Sequence, residues 1–265
     1  MQWVAELGAA TGRSVTYVGG LAEICVRSLR LLFLSPLKRG RTLQRAVHEA
    51  MAVGVGAIPI ISLITFFVGI IIALQGAYEL QRLGATQLVA SLVAIAITRE
   101  LGPLVTAIVV IGRSGSAFAA EIGTMRVTEE LDALETMALN PVAFLVVPKF
   151  LAMAVMLPCL AIWADLMGIL GGALFGIAGA GYTFGGYMLA TRDALLLRDI
   201  TSGVVKSLVF GMVITAVGCQ EGFATGAGAE EVGRSTTSAV VISILLVVLI
   251  DLVFTALFYL AGGGA

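Results

Sequence analysis

Long apolar runs alternate with short polar or glycine-containing segments along this chain. A helix needs about 20 residues to cross the hydrocarbon core of a bilayer, and four of the runs reach that length. The fifth is shorter and can cross if Lys206 and Gln220 at its ends extend toward the membrane surfaces. The pattern predicts an all-α integral membrane protein with about five transmembrane helices. The runs are residues 52–74, 88–111, 142–181, 204–217 and 240–260.

The third run, residues 142–181, is too long for one straight crossing. It is either a single long helix bent at Pro158 or one crossing followed by a re-entrant segment. Within it, Gly168, Gly172 and Gly176 repeat at a spacing of four, which places them on one helix face. This spacing predicts close packing against a neighbouring helix.

An amphipathic segment precedes the first run. Five apolar residues recur there at helical spacing, and Glu23 stands four residues before Arg27, an order that favours a helix. Together with the basic cluster that follows, the segment is expected to lie in the cytoplasmic headgroup layer, a first helix buried in the bundle being the alternative. We therefore divide the chain into an interfacial segment, residues 1–45, and a transmembrane domain, residues 46–265. The apolar residues are Val18, Leu21, Cys25, Leu29 and Leu32.

Basic residues before the first run indicate the orientation of the chain. Seven arginines and lysines stand there against three glutamates, and segments rich in positive charge stay in the cytoplasm. No signal peptide is visible at residues 1–12. After five crossings the C-terminus is expected on the external side, with the glycine-rich residues 218–238 as a second cytoplasmic loop. The basic residues are Arg13, Arg27, Arg30, Lys38, Arg39, Arg41 and Arg45.

A polar stretch at residues 127–140 predicts a short amphipathic helix between the second and third runs, with Thr128 as its N-cap and Pro141 just beyond its end. Its acids near the N-terminus suit the helix dipole. Four acids in seven residues exceed what one loop needs for solubility, so a docking helix is favoured over a solvated connector. The expected docking face combines Glu129, Glu130, Asp132 and Glu135 with the neighbouring Leu131 and Leu134.

Composition supports a membrane protein and excludes several kinds of site. Hydrophobic residues make up 59% of the chain, the mean hydropathy is +1.03, and 12% of residues are charged, against about 25% in globular domains. The net charge of −1 gives no reason to expect nucleic acid. His48 is the only histidine and no P-loop sequence occurs, so we expect no metal, no cofactor and no catalytic set in this chain. Cys25, Cys159 and Cys219 are interpreted as packing residues.

Asp165 lies late in the third run and is expected to be solvated near the membrane surface. We single out four further charged residues in or near the apolar runs: Arg99, Glu100, Lys206 and Asp251. Their formal charges sum to zero, and each charge inside a bilayer costs at least about 2.5 kcal/mol. Pro103 cannot donate to the carbonyl of Arg99, so the helix is expected to kink there. The four residues are either interhelical ion pairs or the lining of a cavity for an amphipathic headgroup, and the two interpretations are compatible.

Four sequence blocks are typical of one known family: Leu74–Gly76, Thr98–Pro103, Gly112–Arg126 and Thr128–Pro141. Together they resemble the MlaE (YrbE) family, the integral-membrane permease subunits of bacterial MCE-type ABC lipid transporters, which have relatives in the chloroplast envelope. The resemblance covers roughly residues 44–260, and the central block is its most specific part.

The resemblance implies a set of partners and roles. It implies a homodimer in the bacterial inner membrane, a cytoplasmic dimer of ABC ATPase subunits that bind ATP and magnesium, and an external hexamer of MCE-domain proteins. The cargo is expected to be phospholipid or a related lipid. Residues 128–139 correspond to the coupling helix that contacts the ATPase, although some members have Gln where this chain has Glu130. The implied polar residues of the substrate cavity are Gln75, Tyr78, Arg99, Glu100, Lys206 and Asp251.

Two other classes of function stay open at this point. A secondary transporter would use Asp251 and Glu100 as ion or proton sites, but inverted repeats are not evident in the sequence. An intramembrane enzyme would need a nucleophile and a base, and His48 at the cytoplasmic edge does not supply such a set. Co-purification of an ATPase subunit would favour the permease over both.

Overall fold

The computed structural model describes residues 17, 19–28, 30 and 39–262, and this part of the chain is helical apart from short turns. A helical segment that includes residues 19–28 comes first. The helices that follow are α1 (Arg39–Arg82), α2 (Thr86–Val127), α3 (Glu130–Thr136), α4 (Val142–Gly179), α5 (Phe184–Ala194), α6 (Leu197–Phe223) and α7 (Ala229–Gly262). Within α2, the two π-helical turns Ile97–Leu101 and Ile111–Gly115 widen the helix.

Five of these helices, α1, α2, α4, α6 and α7, are long and apolar enough to cross a membrane. The predicted class and the predicted number of spans are therefore confirmed. The third run is one continuous helix with Pro158 inside it, so the re-entrant alternative is wrong.

Three predicted boundaries are also wrong. Helix α6 begins at Leu197 instead of residue 204, and α7 begins at Ala229 instead of residue 240. Only residues 224–228 of the expected loop 218–238 are non-helical, and α5 occupies most of the polar stretch 182–199. The expected bounds were those of the apolar runs. A helix can continue beyond such a run, because polar residues there can pack against the protein or lie in water outside the membrane.

The chain forms two compact units. The first unit contains the described part of Met1–Glu49 together with Ser114–Ala152 and Met212–Ser243. The second unit contains Ala50–Arg113, Met153–Gly211 and the described part of Ile244–Ala265.

The first unit has a core of apolar side chains from α2, α3, α4 and α6. Leu21, Ile24 and Cys25 of the N-terminal helical segment pack against it, while the exposed Glu23 and Arg27 approach each other at 3.9 Å. This segment is therefore in contact with the protein along one face, and its position in the headgroup layer stays a prediction. The buried core residues are Ile122, Leu131, Leu134, Leu145, Val146, Phe150, Ala216 and Cys219.

Of the five apolar residues predicted to share one face of that segment, Leu21 and Cys25 have described side chains, and both pack against the core of the first unit. Val18, Leu29 and Leu32 lie outside the residues whose side chains are described.

The second unit packs its helices through the glycine repeat of α4, as predicted. A Cβ at Gly168 would lie 2.9 Å from Cγ2 of Ile97 on α2, and one at Gly172 would lie 2.7 Å from Cγ1 of Val93. At Gly176 a Cβ would approach the Tyr187 ring of α5 to 2.7 Å. These contacts hold α2 against α4 and so fix the position of the π-helical turn at Ile97–Leu101.

Candidate functional site

Lys206 lies at the centre of a charged cluster in the second unit. Its side chain is 1% exposed, and Nζ lies 2.6 Å from Oε2 of Glu100 on α2 and 2.9 Å from Oδ1 of Asp251 on α7. Nζ also donates to Oγ1 of Thr255 on α7 at 2.9 Å. Nζ therefore donates two hydrogen bonds, to Glu100 and Thr255. Its contact with Asp251 is an ion pair, since Oδ1 of Asp251 has no hydrogen-bond partner among the described residues. The structure thus brings three of the four intramembrane charges together as ion pairs, which is one of the two compatible interpretations of the sequence.

Arg99 pairs with Asp199, a residue for which the sequence suggested no role. Nε and Nη2 of Arg99 each lie 2.5 Å from Oδ1 of Asp199. The Asp199 side chain is 1% exposed, and its Oδ2 accepts from the backbone N–H of Leu196 at 3.0 Å. Asp199 stands in the first turn of α6, where a carboxylate is stabilised by the helix dipole.

Arg99 and Glu100 both lie within the π-helical turn Ile97–Leu101 of α2. The N–H of Gly102 bonds the carbonyl of Ile97, five residues back, and Pro103 follows without an N–H to donate. The predicted irregularity before Pro103 is thus realised as a wide turn of helix. Single π-helical turns inside α-helices are frequent at functional sites.

Helix α6 passes very close to this turn. A Cβ at Gly203 would lie 2.5 Å from the carbonyl oxygen of Thr98 and 3.3 Å from Cγ of Pro103. Only glycine allows this approach, which brings Asp199 and Lys206 of α6 within reach of α2.

The cluster opens into a cavity of about 360 Å³. Seven of its nine lining residues are polar or charged residue types. Glu100 is 36% exposed and Arg99 47%, so both present charge to the cavity, whereas Lys206 and Asp199 are buried behind them. The lining residues are Arg99, Glu100, Arg198, Asp199, Ser202, Lys206, Thr255, Phe258 and Tyr259.

Comparison with known proteins identifies the family of this helical bundle. The family described as Permease MlaE matches residues 46–257. The chain belongs to the MlaE permease family. The predicted resemblance is confirmed, and the protein is a multi-pass membrane permease.

Relatives of this MlaE-family permease occur in distant organisms. The chain is 38% identical over 213 residues to a probable ABC transporter permease protein of Rickettsia prowazekii, covering 80% of this chain and 82% of the relative. It is 35% identical over 217 residues to the intermembrane phospholipid transport system permease protein MlaE of Haemophilus influenzae, covering 82% and 83%. It is 39% identical over 197 residues to the chloroplastic protein trigalactosyldiacylglycerol 1 of Arabidopsis thaliana, covering 74% and 56%.

Two predicted cavity residues of the permease do not join the cluster. Gln75 and Tyr78 are exposed on α1 and do not line the cavity. Oη of Tyr78 accepts from Nη2 of Arg82 at 3.2 Å, and the Arg82 guanidinium carbon lies 4.9 Å from the centroid of the Tyr78 ring. The structure therefore brings together four of the six predicted residues.

The cluster also contains polar residues that were not predicted from the sequence as site residues. Asp199, Ser202 and Lys206 recur at spacings of three and four, which is the signal of one helix face, but the predicted helix began too late to include the first two. Thr255 follows Asp251 by four residues, and its Oγ1 lies 3.1 Å from Oε1 of Glu100.

Asp165 of α4 was expected to be solvated near the membrane surface, and that expectation is wrong. Its Oδ1 is buried without a hydrogen-bond partner among the described residues and faces Gly102, where a Cβ would collide with it.

The short helix predicted between the second and third runs is present as α3, but its faces differ from the prediction. Leu131 and Leu134 are 4% and 7% exposed and belong to the core of the first unit. They fix α3 to its own unit, so they are not part of an exposed docking face in this structure. The exposed face is acidic and consists of Glu129, Glu130, Asp132 and Glu135.

The expected cap of α3 is also wrong. Thr128 continues from α2, and its Oγ1 donates to the carbonyl of Thr124 at 3.0 Å. Glu129 occupies the N-cap position in a left-handed conformation with φ of 59°, and Ala138 beyond the other end has φ of 55°. Non-glycine residues adopt this conformation rarely, so core packing of α3 must compensate for strained turns at both ends.

A second buried lysine lies in the first unit and was not predicted. The side chain of Lys149 on α4 is 1% exposed, and its Nζ lies 2.7 Å from Oε1 of Glu49 and 2.7 Å from Oε2 of Glu121. The ammonium also lies 4.7 Å from the centroid of the Phe118 ring, a cation–π contact. This cluster connects α1, α2 and α4 within the first unit.

Proposed function

We propose that the chain is the permease subunit of an ABC transporter that moves phospholipid or a related lipid. Its energy would come from ATP hydrolysis by a separate cytoplasmic ATPase, and its lipid would be exchanged with a periplasmic ring of MCE-domain proteins. The observation that carries the proposal is the charged cavity around Lys206 and Glu100 in a chain of the MlaE permease family. The relative in Haemophilus influenzae is named for intermembrane phospholipid transport, which supports lipid as the cargo.

A lipid headgroup is the cargo that fits the chemistry of the cavity. The cavity presents the partly exposed side chains of Arg99 and Glu100 while apolar surfaces of the long helices surround it. A headgroup entering from the bilayer can exchange its hydration for these fixed charges while its acyl chains stay among apolar side chains. In this role the ion pairs of the cluster would both hold the helices and receive the headgroup.

The acidic face of α3 would bind the ATPase. Glu129, Glu130 and Glu135 are exposed, whereas the Leu131 and Leu134 side chains behind them anchor α3 to the first unit. A short rigid helix with one buried and one exposed face can pass a displacement of the partner to the core that holds it. We therefore assign coupling to the acidic face alone, with ATP and magnesium bound by the partner.

The remaining features of the assembly follow from the family. Two copies of the permease would associate in the bacterial inner membrane, with the N-terminus in the cytoplasm and the C-terminus in the periplasm. An excess of basic residues before α1 supports this orientation.

The test is purification of the permease with its ATPase and identification of retained lipid by mass spectrometry. We expect phospholipid at about one molecule per cavity and ATPase subunits in equal number with the permease. Charge reversal of the acidic face, Glu129→Lys with Glu135→Lys, should remove the ATPase and leave the lipid. The control is Glu79→Lys, which changes an exposed acid on α1 in the second unit.

Three results would contradict the proposal. The first is a preparation without bound phospholipid, and the second is an ATPase that stays bound after the double reversal. The third is gradient-driven transport by the permease alone, which would favour a secondary transporter.

A further inference from the structure

Arg198 is the cation of the cavity that has no carboxylate partner among the described residues. It stands in the first turn of α6, and its Nη2 donates to the carbonyl of Phe258 on α7 at 3.1 Å. The other two cations of the lining, Arg99 and Lys206, form ion pairs at 2.5 to 2.9 Å. Arg198 is exposed, so its guanidinium can bind a group that enters the cavity.

The formal charges of the cluster sum to zero, but the positive and negative charges are unevenly distributed within it. Lys206 is paired with both Glu100 and Asp251, which leaves one excess negative charge at that end. Arg99 and Asp199 neutralise each other, and Arg198 supplies one excess positive charge at the other end. The cavity therefore presents a negative and a positive position together.

Glu100 is the carboxylate that presents the excess negative charge. Its side chain is 36% exposed, against 14% for Asp251. Its Oε2 receives the ammonium of Lys206 at 2.6 Å, whereas Oε1 is approached by the Thr255 hydroxyl at 3.1 Å. A carboxylate oxygen has two lone pairs, so Oε1 can accept a further N–H donor.

We infer that this cavity selects a zwitterionic headgroup, a phosphodiester joined to a primary ammonium, with its phosphate on Arg198 and its ammonium on Glu100. The inference rests on the proposed lipid function and names the headgroup class. A guanidinium suits phosphate because its N–H groups can bind two oxygens at once. The partly exposed Arg99 would assist at the phosphate from its free edge.

The same geometry disfavours other headgroups. An anionic headgroup without an amine would satisfy Arg198 but leave the charge of Glu100 uncompensated in a partly desolvated cavity. A quaternary ammonium has no N–H to donate, so it would gain the charge attraction without the hydrogen bond to Oε1.

The test is a competition for the cavity of the permease–ATPase complex. The complex is equilibrated in mixed micelles with equal amounts of phosphatidylethanolamine, phosphatidylcholine and phosphatidylglycerol of identical acyl chains, and retained lipid is quantified by mass spectrometry. For the unmodified complex we expect phosphatidylethanolamine to exceed each competitor about three- to tenfold, equivalent to about 0.7–1.4 kcal/mol.

Substitutions at two positions test which residue binds the phosphate of the headgroup and which binds its ammonium. Arg198→Gln is expected to lower retention of all three lipids about three- to tenfold, and Arg198→Lys to restore part of it, because the phosphate is common to them. Glu100→Gln is expected to bring phosphatidylethanolamine down to the level of phosphatidylcholine and to raise phosphatidylglycerol. Arg192→Gln on α5, an exposed arginine outside the cavity, is the matched control and should change nothing.

Each contrary outcome has a separate meaning. Equal retention of the three lipids, or unchanged retention after Arg198→Gln, overturns the headgroup inference and leaves the permease function standing. Absence of all phospholipid from the unmodified complex overturns both. Glu100→Gln leaves Asp251 beside Lys206. Should this variant nevertheless unfold, the Arg198 series decides the matter, because the described residues give Arg198 no carboxylate partner whose loss would destabilise the fold.

Discussion

The two units of the permease each bury one lysine between two carboxylates, and the two clusters differ in what else surrounds the ammonium. Lys149 of the first unit has Glu49, Glu121 and the face of Phe118 as neighbours. Lys206 of the second unit has Glu100, Asp251 and a hydroxyl, and it borders a cavity with further charges. A buried ion pair is by itself weak evidence for either stability or function. The difference between the two clusters is therefore the charged cavity beside Lys206, and this cavity, not the buried ion pair, indicates a binding role.

The largest expected effect tests how the first unit holds α3. Leu131→Asp with Leu134→Asp places two carboxylates among apolar side chains that are now 4% and 7% exposed. Because unpaired buried charges are very costly, we expect the first unit to unfold and the protein to aggregate, instead of a folded permease that has lost its ATPase. The measurement is size-exclusion chromatography in detergent.

A matched pair on the exposed face serves as control. Asp132→Asn and Ala133→Ser, both exposed on α3, should leave the elution profile unchanged. A monodisperse double-aspartate variant would show that the two leucines do not hold α3 in place.

The next effect separates the two lysines. Lys206→Met leaves Asp251, whose side chain is only 14% exposed, without its cation. Removing one partner of a buried ion pair costs about 3–5 kcal/mol. Lys149→Met should cost less, since Glu121 is 48% exposed and can be hydrated. Thermal melting of the purified complex measures this difference in stability.

Lipid binding distinguishes the two clusters further. Within the folded fraction, we expect Lys206→Met to change lipid retention, because Glu100 loses the cation that holds it at the cavity. Lys149→Met should leave lipid retention unchanged. Equal loss of lipid from both variants would remove the distinction between a structural and a substrate-binding cluster.

The sequence predicted the second cluster better than the first, and the reason is physical. Arg99, Glu100 and Asp251 interrupt runs that are otherwise apolar, so their cost in a bilayer made them visible. Glu49, Glu121 and Lys149 lie near the ends of their helices, where charged residues are ordinary. Nothing in their spacing along the chain shows that three helix ends meet.

The length of the apolar runs predicted which segments cross the membrane, but it did not predict which face of each helix is buried. Leu131 and Leu134 form an apolar stripe on α3 that is compatible with docking outward or packing inward, and only the tertiary structure shows that they pack inward. Asp199 lies outside the predicted apolar runs. Hydropathy cannot distinguish a polar residue in water from one that is paired inside the protein. The partner of Asp199, Arg99, is one hundred residues away in sequence.

A smaller effect identifies the partners within the second cluster. Asp251→Asn should lower stability, and Lys206→Gln should recover part of that loss because the two residues pair at 2.9 Å. We expect a coupling energy within the range of about 0.5–3 kcal/mol measured for residues in contact. Arg99→Gln combined with Asp251→Asn should be additive within about 0.5 kcal/mol, since Arg99 pairs with Asp199 instead.

Thermal melting of the double-mutant cycles measures both couplings. A larger coupling of Asp251 to Arg99 than to Lys206 would contradict the arrangement of ion pairs described above.

The smallest expected effect tests how the N-terminal segment packs on the first unit. Burial raises the pKa of the Cys25 thiol above its ordinary value, which is about 8.5 in a free cysteine. The folded state therefore holds this proton more tightly than the unfolded state. Its contribution to stability is fully present below the ordinary thiol pKa and is lost as the pH rises through the raised pKa. Because the thiolate is the reactive species, Cys25 should be alkylated more slowly at pH 8.5 than an exposed cysteine.

The matched comparison uses the next residue on the same helix. Val26 is 55% exposed, so Val26→Cys in a Cys25→Ser background places a thiol on the outward face. Peptide mass spectrometry after iodoacetamide treatment at pH 7.5, 8.5 and 9.5 gives both rates. We expect Cys25 to lag at every pH and the two rates to converge once the protein is unfolded in denaturant. Equal rates in the folded protein would mean that Cys25 is not buried against the first unit, which would instead favour a segment lying free of the bundle in the headgroup layer.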